Sequence, residues 1–434
     1  MDKVKVALLG AGTVGGGVWE ILQTNKEEIT NNSRKKIEIS KILVRDINKK
    51  RNLPIPKDLL TTDFQEILGD ETIDIVVEVI GGIEPARKYI LEAIRRGKHI
   101  VTANKALLAN HWQEITQAAQ TAGVHLYYEA SVAGGVPIIH PIKESLTGNK
   151  IEEIMGILNG TTNYILSKMT EDGANYQDVL KEAQDLGYAE ADPTADVEAY
   201  DAAHKLTILS SLAFQTSVEF DKIYREGISK ITPIDIEYAR ELGYIIKLLA
   251  IAKERQGSIE LRVHPTFVPQ DHPLASVNDS FNAVFIRGNA VGDLMFYGRG
   301  AGDLPTGSAV VGDIVSIVRA MENKVGRQGV KGEKVVKKIQ AMGESKGEYY
   351  IRLIVRDRPK VLGPIASVFG QHNVSISSVI QKGEGVPEVS LVFLTHLTKE
   401  KDVQGALEEI KEFESVVEVA NLIRVENGKT RREA

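Results

Sequence analysis

Five glycines stand at one junction near the start of the chain, in the stretch KVALLGAGTVGGGVWEIL. The apolar run before them is typical of a strand buried on both faces of a parallel sheet, and the residues after them have helical periodicity. Glycine weakens strands and helices alike, so its repeated use here indicates a junction where a Cβ atom would be in the way. The spacing of Gly10, Gly12 and Gly15 between strand and helix predicts a dinucleotide-binding turn, with the helix start facing the phosphates.

The rest of the first 130 residues supports this interpretation. Apolar segments with strand character recur as IEISKILVRD, IDIVVEVIGG, KHIVTAN and VHLYYEAS, and helical segments such as EPARKYILEAIRRG separate the later ones. This alternation predicts a doubly wound, Rossmann-type parallel sheet over residues 1–130. Alternating glycines at 298, 300 and 302 precede a further helix, so we expect the chain to return to this domain at about 303–325.

The residues after the second predicted strand bear on the choice of cofactor. An acidic residue there binds ribose hydroxyls, whereas an arginine accommodates a 2′-phosphate. Both are present, as Arg45 and Asp46, and the basic residues 49–51 follow. We predict NADP, with NAD possible. The alternative for residues 49–51 is a solvated surface cluster.

The composition of the 434 residues narrows the class of protein. A net charge of −6 argues against a general nucleic-acid binder, because a phosphate backbone requires a basic face. No apolar run is expected to cross a membrane, and a strand begins directly after residue 3, so we expect a cytoplasmic protein without a signal peptide. The absence of cysteine excludes disulfides, thiolate zinc sites and aldehyde oxidation through a thiohemiacetal.

Two segments carry candidate catalytic residues. Lys105 follows the fourth predicted strand, at the sheet edge where ligands bind. In LGYAEADPTADVEAYDAAHKLTILSSLAF, the Asp192–Thr194 signal predicts one long helix through at least Ser211. Glu198, Asp201 and Lys205 would share a face of that helix. A surface ion pair is the ordinary interpretation of such spacing, but the acidic residues just upstream favour a lysine held as a proton donor.

The stretch EASVAGGVPIIHPI offers a candidate cation site. Glu129 ends a predicted strand and small residues follow it, so the loop can turn its carbonyls inward. One carboxylate with several carbonyls suits a hard cation of low charge, and we predict sodium. The alternative is a strand-to-helix turn in which Glu129 caps the helix.

Several longer motifs together resemble homoserine dehydrogenases. They are GILNGTTNYIL and LGYAEADPTADVEAYDAAHKL, together with GAGTVGGG, TANKALL, EASVAGGVPII and YGRGAGDLPTGSAVVGDI. The resemblance covers residues 1 to about 325 and implies a catalytic and dimerisation domain over 131–302. It also implies NAD(P)H-dependent reduction of L-aspartate 4-semialdehyde to L-homoserine, on the route to threonine, methionine and isoleucine. A homodimer or homotetramer is expected.

The resemblance also implies a role for individual residues. Lys205 matches the proton donor, Asp201 the acid beside it, and Lys105 a lysine that contacts both cofactor and substrate. Glu190 matches a residue that binds the substrate amino group. The implied sodium ligands are Glu129 and the carbonyls of Val132, Gly134 and Val136. The implied cofactor contacts, beyond the glycines of the turn, are Thr13, Val14, Arg45, Lys105 and Gly302. Two close lysines would lower each other's pKa, which suits proton transfer near neutrality, and the sequence leaves open whether Lys105 or Lys205 is the final donor.

The C-terminal part follows a polar segment, 326–348, which we predict to be a linker. Residues 349–427 then alternate as β-α-β-β-α-β, a ferredoxin-like pattern that resembles the ACT domain, a regulatory module that binds amino acids. The resemblance places a ligand at the 356–359 loop and the 370–373 turn, and threonine is the expected effector. The alternative is a dimerising domain without a ligand.

Two other functions remain open on the sequence. One is an amino-acid sensor whose Rossmann domain does not catalyse, and the other is a different small-carbonyl reductase on the same scaffold. The presence of Lys105, Asp201 and Lys205 argues against the sensor.

Overall fold

The N-terminal part of the molecule is a parallel sheet with helices on both faces. The computed structural model describes residues 3–51, 53–255, 257–322, 337–383 and 386–427. The first strands are β1 (Lys3–Leu9), β2 (Lys36–Leu43), β3 (Leu60–Thr61), β4 (Ile75–Glu78), β5 (His99–Thr102) and β6 (Leu126–Tyr127). The helices are α1 (Thr13–Thr24), α2 (Lys26–Ser33), α3 (Phe64–Leu68), α4 (Ala86–Arg95) and α5 (Lys105–Ala122). The strand order β3-β2-β1-β4-β5-β6 confirms the predicted Rossmann-type sheet.

Strand β3 was absent from the sequence prediction. It has two residues, which pair with Ile42 and Leu43 at the end of β2. A two-residue strand is too short to show any hydrophobic alternation, so its pairing is visible only in three dimensions.

The second part of the chain is an α+β domain built on an antiparallel sheet. Its strands are β7 (Ile151–Ile157), β8 (Tyr224–Arg225), β9 (Tyr244–Arg255), β10 (Ser258–Pro269), β11 (Phe281–Gly288) and β12 (Gly292–Arg299). Its helices are α6 (Gly160–Asp172), α7 (Tyr176–Asp185), α8 (Thr194–Val197), α9 (Tyr200–Ala213) and α10 (Pro233–Glu241). The main strands run in the order β12-β11-β7-β9-β10. Helices α6 and α9 pack on this sheet through a large apolar core.

The long helix predicted from Thr194 through Ser211 is wrong in one respect, because the structure divides it. Helix α8 ends at Val197, Ala199 adopts a left-handed φ of 66°, and α9 begins at Tyr200. The backbone N–H of Ile228 donates to the Val197 carbonyl at 2.9 Å, which occupies an acceptor that a continuous helix would use. Glu198 therefore lies outside α9, and only Asp201 and Lys205 share a helix.

After β12 the chain returns to the first domain. Helix α11 (Asp303–Glu322) packs against α1, and their approach is so close that a Cβ on Gly17 would lie 2.1 Å from the Asp303 carbonyl oxygen. Glycine is therefore required at position 17 for this contact.

Within the described residues, one helical segment, Asp303–Met321, is long and apolar enough to cross a membrane by composition alone. A helix in the core of a folded domain passes the same test. Val310, Ile314 and Ile317 of this segment are fully buried in the core of the first domain. Its apolar face is explained by that packing.

The C-terminal part forms the predicted ferredoxin-like arrangement. Its strands are β13 (Lys338–Ile339), β14 (Lys346–Arg356), β15 (Ile376–Lys382), β16 (Glu388–Thr395), β17 (Thr398–Lys399) and β18 (Val416–Val425), and its helices are α12 (Leu362–Gln371) and α13 (Glu400–Ile410). The order β18-β14-β16-β15 places the first and last strands side by side. Of the predicted linker, 326–336 lies outside the described residues. The remainder is ordered, since β13 pairs with β10 and β14 begins at Lys346.

The C-terminal domain and the central domain share one continuous sheet. Strand β18 pairs in parallel with β10, where Thr266 lies opposite Arg424. Beside this pairing, Asp235 at the start of α10 is completely buried. Its carboxylate accepts hydrogen bonds from the Tyr350 hydroxyl at 3.0 Å, Arg352 Nε at 2.7 Å and Asn421 Nδ2 at 2.9 Å. Three residues of the C-terminal domain are thus held by one carboxylate of the central domain.

Replacing Asp235 by alanine should lower the free energy of unfolding by about 3–5 kcal/mol, because Arg352 would remain buried without its counter-charge. The control is Glu414→Ala, which removes an exposed partner of Arg356 and should cost less than about 1 kcal/mol. Urea unfolding of both variants measures the difference. Equal losses would show that the buried pair does not join the two domains energetically.

Candidate active site

The centre of the candidate site is the pair formed by Asp201 and Lys205 in the first turns of α9. Lys205 Nζ lies 2.7 Å from Asp201 Oδ2, and it also donates to the Leu158 carbonyl at 2.5 Å. Both side chains are buried. The pair therefore has the i, i+4 spacing of a surface ion pair but lies in the interior, where its charges are poorly solvated.

A second lysine reaches the same carboxylate from the other domain. Lys105 is the first residue of α5, and the Asn104 side chain caps that helix by accepting from the Leu107 N–H at 3.1 Å. Lys105 Nζ lies 2.9 Å from Asp201 Oδ1. Each oxygen of Asp201 thus contacts one ammonium group, and the three residues predicted to be catalytic come together.

Asn159 completes the cluster and was missed by the sequence analysis. Its Nδ2 donates to Asp201 Oδ2 at 2.9 Å and to Asp196 Oδ1 at 2.6 Å, while its Oδ1 accepts from the Thr162 N–H at 2.8 Å and caps α6. An asparagine before Gly-Thr-Thr is an ordinary helix cap, so only the fold reveals its contact with the carboxylates. Because the chain breaks between α8 and α9, the carboxylates of Asp196 and Asp201 both accept hydrogen bonds from the side-chain amide of Asn159.

The charges of the cluster shift its pKa values in opposite directions. Burial alone would raise the pKa of Asp201, but the ammonium groups of Lys205 and Lys105 hold it well below its usual range. Burial lowers the pKa of Lys205, and Lys105 lowers it further, whereas Asp201 opposes both effects. The pKa of Lys105 is raised, chiefly by the charge of Asp201. The prediction that both lysines have lowered pKa values is therefore wrong for Lys105, because a carboxylate lies between the two cations.

Glu190 lies in the exposed segment between α7 and α8. Its negative charge contributes to raising the pKa of Lys105, so the structure brings it into the electrostatic range of the cluster. Among the described residues, no hydrogen bond links its carboxylate to Lys105, Asp201 or Lys205.

The glycine turn has the geometry that a dinucleotide requires. Gly10 adopts a φ of 115°, and a Cβ on Gly15 would lie 2.2 Å from the Gly10 carbonyl oxygen, so both positions require glycine. At Gly12 no other described residue lies within 4 Å of the Cβ position, which leaves open space in front of the backbone. Thr13 and Val14 begin α1 beside this space.

The other predicted cofactor contacts lie at the ends of neighbouring elements. Arg45 is exposed just beyond the end of β2, and Gly302, with a φ of 124°, immediately precedes α11. Arg51 is occupied by the carbonyls of Asp46 at 2.7 Å and Lys49 at 3.0 Å, so it stabilises its own loop. These residues fit a nicotinamide dinucleotide, with Arg45 as the exposed cation at the end of β2.

The Glu129 carboxylate, predicted to bind a cation, accepts hydrogen bonds from the backbone in this structure, and its role as a ligand stays a prediction. Glu129 Oε1 accepts from the N–H groups of Ile138 and Ile139, at 2.5 and 2.8 Å, and Oε2 accepts from His140 N–H at 2.7 Å. The carboxylate therefore caps the following helical turn, which was the alternative interpretation. This capping role does not exclude a cation, because the carboxylate also belongs to a group with His140 and Asp313 whose ligand atoms all lie within 4.8 Å of one another.

The segment after Glu129 packs against the part of the chain that returns to the first domain. Gly134 has a φ of 55°, and a Cβ there would lie 2.3 Å from the Gly300 carbonyl oxygen, so the loop is pressed against the 299–301 segment. Asp313 of α11 accepts from the Glu129 N–H at 2.8 Å and lies 2.9 Å from His140 Nε2. Glu129, His140 and Asp313 thus come together, and their potential ligand atoms all lie within 4.8 Å of one another.

Comparisons with known proteins agree with this geometry. Models of the homoserine dehydrogenase family match residues 137–315, those of its NAD-binding domain match residues 10–129, and those of the ACT domain match residues 349–415. A homoserine dehydrogenase of Synechocystis sp. is 46% identical over 433 residues, which are 97% of this chain and 99% of the relative. The chain belongs to the homoserine dehydrogenase family.

Solved structures extend the comparison to the whole fold. The homoserine dehydrogenase of Thiobacillus denitrificans matches with a TM-score of 0.93 and 46% identity, and the match covers 98% of this chain and 99% of that one. A hyperthermophilic archaeal homoserine dehydrogenase in complex with NADPH matches with a TM-score of 0.62 and 27% identity over 73% of this chain and 98% of that one. The chain is thus an NAD(P)-dependent oxidoreductase of amino-acid biosynthesis with a C-terminal ACT domain, which confirms the resemblance inferred from its motifs.

Proposed function

We propose that this member of the homoserine dehydrogenase family reduces L-aspartate 4-semialdehyde to L-homoserine at the cluster of Lys105, Asp201 and Lys205. The observation that carries the proposal is that two lysines from separate domains contact the two oxygens of one buried carboxylate. Taken by themselves, the three side chains carry one positive charge in excess, because two cations face one anion. That charge is suited to stabilise an oxygen on which negative charge develops.

The two lysines have different parts in the proposed reaction. The nicotinamide supplies the hydride when it is bound. Lys205 then donates a proton to the carbonyl oxygen of the substrate, and its lowered pKa makes that transfer easier near neutral pH. Lys105 keeps its proton because its pKa is raised, so it serves as a fixed cation that binds and orients the same oxygen. Asp201 holds both ammonium groups in place.

Specificity for an amino-acid substrate is assigned to Glu190. Its exposed carboxylate lies in the electrostatic range of Lys105, where it can bind the substrate ammonium group. For the cofactor, we infer a preference for NADP over NAD, since Arg45 is exposed at the end of β2 and can bind a 2′-phosphate. The cytoplasm, where this cofactor is available, is the proposed compartment.

A sodium ion is proposed at the segment that begins at Glu129. The carbonyls of Glu129, Val132, Gly134 and Val136 would hold it, and the Glu129 side chain would keep its capping role. The ion would fix the segment between the central domain and the 299–301 segment, which leads to Gly302.

Threonine is proposed as an inhibitor that binds at the ACT domain. The two segments assigned to the ligand, 356–359 and 370–373, lie at opposite ends of α12, whose ten residues span about 15 Å. They cannot form one small-molecule site within a single chain. A site that uses both segments requires two copies, so a homodimer or a homotetramer is part of the proposal.

Lys205→Ala should reduce the kcat for aspartate semialdehyde by about 10²–10⁴-fold, because the alkoxide would lose its proton donor. NADPH binding, followed by its fluorescence, should stay near normal. Lys168→Ala, which removes an exposed lysine of α6, is the matched control and should retain full turnover. Loss of NADPH affinity in place of turnover would show that Lys205 is structural. No turnover by the unmodified chain would favour a sensor.

Gly370→Leu should abolish threonine inhibition and leave uninhibited turnover unchanged. Among the described residues outside its own helical turn, none lies within 4 Å of the Gly370 Cβ position, so a side chain there fills space without disturbing the domain. Inhibition curves with threonine measure the effect. A point variant is preferable to removal of the domain, because β18 completes the sheet beside β10. If the unmodified chain is insensitive to threonine, the assignment of the effector is wrong.

A further inference from the structure

Glu78 is a fully buried carboxylate that the proposed chemistry does not use. It is the last residue of β4, and none of its side chain is exposed. Glu78 Oε2 accepts a hydrogen bond from the Thr102 hydroxyl at 2.7 Å, and Oε1 accepts from the backbone N–H groups of Ile80 and Gly81 at 3.0 and 3.1 Å. Burying a carboxylate is unfavourable unless several donors compensate for the lost hydration, so this arrangement calls for an explanation.

The donors around Glu78 lie on two segments at the same edge of the sheet. One is the turn after β4, where Gly81 and Gly82 adopt φ values of 74° and 73°. The other is the end of β5, which leads directly into α5. The carboxyl ends of parallel strands form the ligand crevice in folds of this type. Glu78 therefore links the turn after β4 to the end of β5, and both of these segments border the crevice.

Asn104 extends this network to the start of α5. Its backbone N–H donates to the Thr102 hydroxyl at 3.0 Å, and its Nδ2 donates to the Gly82 carbonyl at 2.6 Å. Its Oδ1 accepts from the Leu107 N–H and so caps the helix. The next residue, Lys105, is the first residue of α5 and extends to Asp201.

We propose that Glu78 is a positioning residue for Lys105. By fixing Thr102 and the 80–82 turn, it sets the place and direction of the Asn104 cap, and this cap determines where α5 begins and where the Lys105 ammonium group lies. The pairing of β4 with β1 and β5 is made by backbone groups alone, so the carboxylate is not needed to build the sheet. A displacement of about 1 Å at a catalytic group can reduce turnover by about 10²-fold, so a residue that fixes the position of Lys105 can strongly affect the rate.

The first test measures the position of Lys105 directly. Its side chain is 42% exposed, so acetic anhydride can label it, and mass spectrometry can compare it with the exposed Lys150. In Glu78→Gln and Glu78→Ala we expect Lys105 labelling to rise at least about threefold relative to Lys150, because its contact with Asp201 loosens. Asp63→Ala, which removes the side-chain cap of α3 beside the outermost strand β3, is the matched control and should leave labelling unchanged.

The second test is a double-mutant cycle on turnover, and it rests on the proposed function. Glu78→Gln should reduce kcat in the unmodified chain but have little further effect in a Lys105→Ala background, since the two changes act on one group. Unchanged labelling of Lys105 in Glu78→Gln, or losses of kcat that multiply in the double variant, would overturn the proposal. A chain that shows the labelling change but never reduces aspartate semialdehyde would reject the proposed function alone. Glu78→Gln keeps an oxygen for the 80–81 N–H groups but places an amide NH2 where Oε2 accepts from the Thr102 hydroxyl, so it breaks the link to Thr102 alone and decides the matter if Glu78→Ala does not fold.

Discussion

One buried carboxylate shared by two ammonium groups is the interaction on which the rest of this structure depends. Asp201 comes from the central domain and Lys105 from the dinucleotide-binding domain, so their contact joins the two domains. Lys205 and Asn159 fix the other oxygen of the carboxylate. An isolated buried charge would be unfavourable, but here the charges compensate each other and leave one positive charge in excess. In the proposed reaction, this excess charge is a preorganised partner for an alkoxide.

The helices and strands around the cluster hold Lys105, Asp201 and Lys205 in place. Helix α11 carries the chain back onto α1, where Gly17 permits close contact. Strand β7 ends next to Leu158, whose carbonyl accepts from Lys205. The same central sheet continues through β10 into β18, so the C-terminal domain is joined to the strands that lead to the active site. Such a connection gives a regulatory ligand a physical route to catalysis, provided that the sheet has two arrangements of different stability.

Much of this could be predicted from the sequence, and the reasons for success and failure are physical. The dinucleotide turn is a local feature, since the spacing of Gly10, Gly12 and Gly15 follows from backbone geometry over six residues. The break at Ala199 could not be predicted, because neither glycine nor proline marks it and the N–H of Ile228 stabilises it from a distant segment. The raised pKa of Lys105 likewise depends on the placement of Asp201 between two lysines, which sequence spacing does not contain.

The pH dependence of turnover in Asp201→Asn tests the central claim most directly. Asp201 raises the pKa of Lys205, against burial and the charge of Lys105, which both lower it. A proton donor is lost as pH rises through its pKa, so turnover has an alkaline limb. Without the carboxylate, the pKa of Lys205 should fall, and the alkaline limb should move to lower pH by about one unit or more. An alkaline limb that stays in place or moves to higher pH would contradict the account.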